Sequence, residues 1–139
     1  MKNFWVRGLL AGFPMLVVGI VYMALTNFLF PAVAAQYQNP NLFYAMTDWH
    51  MQSMPIYYFV LGVVLAFAWD KLRALNLTPV QFALGYFLVA GIPGMLITWM
   101  TFMVSTAMIV TWLVNGLLEA LVAGYALKMM DKKIQATVA

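Results

Sequence analysis

Long apolar runs separated by short polar breaks dominate the chain. Four runs stand out, at about Leu9 to Phe30, Trp49 to Trp69, Pro79 to Trp99 and Met103 to Lys128. Crossing roughly 30 Å of hydrocarbon takes about 20 helical residues at about 1.5 Å each, and each run meets that length. Barrel strands would be about ten residues long with alternating polarity, a pattern these runs lack. The breaks are a longer polar loop from Pro31 to Asp48, a short charged loop from Asp70 to Thr78, and a tight turn near Thr101. The expectation is an all-α integral membrane bundle of four transmembrane helices, forming one domain over residues 1–139.

The beginning imitates a secretory signal, with basic "MKNFWVR" before an apolar run and "AVA" at Ala32 to Ala34. The run from Gly8 to Phe30 far exceeds the roughly 7–15 apolar residues of a signal, so it reads as a retained first span. The last residues, "DKKIQATVA", read as a short, partly ordered end.

Local signals refine these boundaries. "TPVQ" predicts a helix start, with Thr78 as N-cap, Pro79 at the first helical position and Gln81 at the third. Small residues recur every four positions at Gly8 and Gly12, and again at Gly116, Ala120 and Gly124. In lipid such positions let helix backbones approach closely, either within the bundle or across a dimer face. Two spans carry a Gly/Pro break: "GFP" at Gly12 to Pro14, and "GIPG" at Gly91, Pro93 and Gly94. Pro93 removes an amide and crowds the preceding turn, so a kink is expected near Gly91. Broken helices also free backbone groups for ion binding, which leaves a functional reading open.

Composition agrees with the pattern: 65% of residues are hydrophobic and 8% charged, against roughly 25% charged in soluble proteins. The few charges carry the orientation. Lys2 and Arg7 precede the first run, Lys71 and Arg73 separate the second and third, and Lys128, Lys132 and Lys133 close the fourth. The other two connections have no Lys or Arg, so an even number of spans puts every cation on one side. By the positive-inside rule both termini are expected in the cytoplasm, across a plasma (inner) membrane. Trp5 and Trp69 would mark the inner interface, Trp49 and Trp99 the outer one. The cations form no long run, which argues against a nucleic-acid partner. The absence of cysteine excludes thiol catalysis, disulfides and thiolate metal sites.

Glu119 is the first candidate for chemistry. It precedes Lys128 by nine residues, about 13 Å from the basic end of its helix. A carboxyl at such depth is costly and marks a proton or ion pathway by default. Thr111, Asn115 and Glu119 share one helix face at fourfold spacing. Tyr86, at similar depth in the third span, is the expected partner. Against this stands an acid that only hydrogen-bonds Asn115 or a carbonyl and serves packing. A second candidate is Met46, His50 and Met54, which would share a face if helical and whose thioether and imidazole ligands suit copper. Pro55 works against that helix, and an Asp48-Trp49-His50 helix entrance explains the same residues. Haem would rest on His50 alone with a distant methionine and has no support; no cofactor is expected, with copper the one alternative. Enzyme signatures are missing: there is no HExxH, G-x-S-x-G or phosphate-binding glycine loop.

In size, span number and a single embedded Glu, the architecture resembles small multidrug-resistance transporters. Their essential Glu lies in the first span and their charge bias is weak; here the acid is in the fourth span and the bias is strong. The resemblance carries over no residue role. Of three functions, the first is the expected one and the other two are its alternatives. The first is association with another membrane protein or with itself, the second is proton- or cation-coupled transport through Glu119, and the third is copper handling through Met46, His50 and Met54.

Overall fold

The computed structural model describes the backbone of residues 3–138 and the side chains of residues 3–132. Lys2, and the side chain of Lys133, lie outside the described residues. The fold is all-α. Four long apolar segments, Phe4–Leu29, Met54–Lys71, Pro79–Thr101 and Thr106–Lys132, are each long and apolar enough to cross a membrane.

The first span is helix α1 (Phe4–Leu29). It begins five residues earlier than the apolar run, because Arg7 is buried in an ion-pair cluster and needs no solvated lead-in. Pro31 starts a short second helix, α2 (Pro31–Gln36), whose Val33 is buried. The Trp49–Trp69 run is two helices. A single turn, α3 (Trp49–Gln52), is capped by Asp48, which accepts from the His50 amide at 2.9 Å. Helix α4 (Met54–Lys71) follows, with Pro55 in its first turn. Proline lacks the amide a continuous helix would need there but is well suited to a first turn.

The third span starts with α5 (Pro79–Tyr86) on the expected capping box: the Gln81 amide donates to Thr78 Oγ1 at 3.2 Å, and the Thr78 amide donates to Gln81 Oε1 at 2.9 Å. A π-helical turn over Phe87–Gly91 leads into α6 (Ile92–Thr101), with Pro93 in its first turn. The break at "GIPG" is thus a widened turn that absorbs the missing proline amide while the chain stays helical. Between α4 and α5, Asn76 adopts a left-handed conformation (φ 50°) that asparagine tolerates in turns. The last helix, α7 (Thr106–Val138), continues ten residues past Lys128, so the chain end through Val138 is helical.

Helix α7 is the hub, packing against α1, α4, α5 and α6, while α1 and α4 form the closest pair. Glycine makes that pairing possible. A Cβ added at Gly12 would lie 2.9 Å from the Phe59 Cα, and one at Gly62 would run into the Gly8 carbonyl and the Gly12 amide. A Cβ added at Gly124 would lie 3.2 Å from the Pro79 Cα at the start of α5, and Ala120 is fully buried. Gly116 and Gly94 instead face open space. The packed core joins Ala11 and Met15 of α1, Leu61 and Leu65 of α4, Phe82 of α5, and Ala123 and Leu127 of α7. Large apolar side chains such as Phe13, Phe28, Val60 and Val89 point outward, which is stable only against a hydrocarbon solvent.

The two ends are tied differently. At the end holding the cations, side chains from α1, α4 and α7 meet in one ion-pair cluster. At the other, Gln36 donates to Ser105 Oγ at 2.8 Å and accepts from the Ser105 amide at 3.1 Å, clamping α2 to the start of α7. Nearby, Trp112 Nε1 donates to the Tyr37 hydroxyl at 2.6 Å.

Candidate functional site

The face of α7 carrying Thr111, Asn115 and Glu119 turns toward the other helices. Thr111 is buried, and its hydroxyl donates to the Met108 carbonyl at 2.7 Å, a bond within its own helix. The Asn115 amide nitrogen donates to Glu119 Oε1. Glu119 itself is 1% exposed, so its carboxyl faces packed helices and not lipid. Its second oxygen, Oε2, and Asn115 Oδ1 are buried without a hydrogen-bond partner. Unsatisfied polar atoms at such depth are costly, commonly about 1–3 kcal/mol each.

Three tyrosines surround this pair. Tyr57 of α4 comes within reach of the carboxyl without closing a hydrogen bond on Oε2, while Tyr58 and Tyr86 lie within range of its charge and do not bond it. Tyr86, the partner expected from depth, is therefore one of the group but not its nearest member. Tyr57 was missed because depth was counted from Lys128. Counted from Lys132, where α7 still runs, Glu119 is thirteen residues in, or about 20 Å. Tyr57 is fourteen residues from Lys71 at the same end of α4, about 21 Å, so the two share a level. The oxygen atoms gathered here, from carboxyl, amide and phenol, suit a proton or a small hard cation.

The cation-bearing end holds a second polar cluster. Arg7 Nη1 contacts Asp70 at 2.5 Å and its Nη2 contacts Asp131 at 2.7 Å. Arg73 reaches the same carboxylates at 3.3 Å and 2.8 Å, and Trp69 Nε1 donates to Asp131 at 2.9 Å. Counting Arg7 and Arg73 as free orienting charges concealed this. The signal was there, in Asp70 and Asp131 at the matching ends of two spans.

The Met46, His50 and Met54 trio does not share a helix. Met46 sits in a turn before α3, His50 lies within α3, and Met54 begins α4 after the helix is interrupted at Ser53. His50 Nδ1 is 2.6 Å from Asp48 Oδ1, and its ring packs between Tyr44 and Trp49, with centroids 4.3 and 3.8 Å away. Among the described residues, no group of three His, Cys, Asp or Glu could hold a metal ion.

Fold and composition together define a small polytopic membrane protein whose four helices suit a lipid bilayer. Comparison with protein-family models, with curated proteins and with solved structures found no match.

Proposed function

We propose that this protein is a small proton- or cation-coupled transporter of the plasma (inner) membrane, with Glu119 as the coupling group. The observation behind it is the buried pair of unpartnered oxygens, Glu119 Oε2 and Asn115 Oδ1, midway along the fourth span. A proton on the carboxyl would remove its charge from the buried site, a cation bound at Oε2 would pair that charge, and releasing either would restore the cost. Asn115 holds the carboxyl in place, Tyr57 and Tyr86 offer further oxygens, and Thr111 continues the same face. The π-helical turn before Pro93 lies in the span that packs mainly on α7, where a change of helix geometry costs little neighbouring packing. The charge pattern orients the protein with both termini in the cytoplasm.

The test is uptake into sealed vesicles reconstituted with the protein, driven by an imposed proton or sodium gradient, across a panel of cationic and neutral solutes. Glu119→Gln keeps the size of the side chain but cannot release a proton. Gradient-driven uptake is expected to fall to the level of empty vesicles; uptake unchanged for every solute would refute the proposal.

A second reading, association with another copy or another membrane protein, draws on one observation. Only 11% of the best apolar window of the third span is buried, against 33% for the fourth, and Gly85, Gly94 and Gly116 face open space. Small residues on an open helix face suit close helix contact. Sedimentation in mild detergent decides it: a mass above one chain supports association, and a lone monomer with nothing co-purifying rejects it.

A further inference from the structure

We infer that the recess at the cation-bearing end is a binding site for the phosphate headgroup of an anionic phospholipid. The recess measures about 1140 Å³ and opens where α1 begins and α4 and α7 approach their ends. Arg7, Lys71, Arg73, Lys128 and Lys132 line it, opposed by the carboxylates of Asp70 and Asp131. Both carboxylates are engaged by the two arginines. Lys71, Lys128 and Lys132 have no carboxylate partner among the described residues, so the recess carries a net positive charge. Arg7 adds a second sign of an incomplete site. It is 5% exposed, and its Nε is buried with no acceptor. Exposed lysine ammonium groups without a carboxylate partner, beside that guanidinium, are complementary to phosphate oxygens.

The remaining wall favours a lipid over a free anion. Phe4, Phe67, Leu72 and Phe82 contribute an apolar side, and Lys71 Nζ lies 5.5 Å above the Phe67 ring, holding its charge at the edge of that surface. The recess sits at the ends of membrane-spanning helices, which is headgroup level. Cationic pockets between such helices recognise anionic headgroups through this pairing of charge and apolar wall. Glu119 has no part in this inference, which stands or falls apart from the transport proposal.

The test is native mass spectrometry of the full chain, released from micelles containing equal amounts of phosphatidylglycerol and phosphatidylcholine. The wild type is expected to retain phosphatidylglycerol about tenfold over phosphatidylcholine. Combined Lys71→Gln, Lys128→Gln and Lys132→Gln is expected to bring the ratio to parity, and Lys71→Gln alone to lower it about twofold to threefold. All three lysines are exposed, and the single variant keeps the test valid if the triple fails to fold. Equal retention of both lipids by the wild type would overturn the inference. So would displacement of phosphatidylglycerol by millimolar inorganic phosphate, which would mark the site as one for a free anion.

Discussion

Asp48 shows how one exposed residue sets a chain boundary. Its carboxylate accepts from the His50 backbone amide and then from the His50 ring, and these bonds hold it below the usual carboxylate range. A carboxyl whose folded pKa is depressed contributes stability above its unfolded value, about 3.9, and loses it as pH falls through the folded value. The α3 cap should therefore persist at pH 5 and be lost only below about pH 4. Carboxyl-carbon NMR of the protein in micelles checks this. A midpoint for Asp48 at or above that of exposed aspartates would contradict it. The same geometry accounts for the failed alignment of Met46, His50 and Met54. The cap fixes a one-turn helix, and Pro55 begins another, so spacing along the sequence does not become a shared face.

At the scale of elements, the sequence is informative wherever one local rule decides. The capping box at Thr78 and Gln81 is formed as its four residues require, and run length separates helices from strands. Boundaries that depend on distant partners were not legible. Helix α1 begins at Phe4 because Arg7 finds Asp70 and Asp131, which are 63 and 124 residues away. Helix α7 outruns its apolar stretch because the chain past Lys128 still packs through Met130 and pairs through Asp131. The nearness of Tyr57 to Glu119 depends in turn on those true ends. Close approach of α1 and α4 gives a prediction at this scale. Gly62→Ala drives a methyl into the backbone of Gly8 and Gly12, and overpacking of this kind costs about 1–3 kcal/mol. Gly116→Ala, facing open space, should be neutral or slightly stabilising through helix propensity. Unfolding by sodium dodecyl sulfate in mixed micelles compares them, and equal stability of the two variants would contradict the packing described.

For the whole molecule, the ion cluster of Arg7, Arg73, Asp70 and Asp131 ties three spans and a loop at one end, while the Gln36–Ser105 clamp ties the other. Arg7→Ala should cost about 3 kcal/mol, the low end for breaking a buried ion pair, because both aspartates are partly exposed and can rehydrate. Lys71→Ala, an exposed control at the same end, should change stability by less than about 0.5 kcal/mol. The same micelle unfolding reads both, and an Arg7 variant as stable as the control would mean the cluster does not hold the spans together. With the ends fastened, the polar group inside the bundle is Glu119 with Asn115 and the tyrosines around it, and the account rests on that carboxyl exchanging a proton or cation. Labelling with dicyclohexylcarbodiimide, an apolar reagent for protonated carboxyls, tests this most directly in reconstituted vesicles, with sites mapped by mass spectrometry. The account predicts modification at Glu119 that falls severalfold as pH is raised or a coupling cation is added, and none there in Glu119→Gln. A Glu119 that stays unmodified, or whose modification ignores both pH and cations, would contradict it.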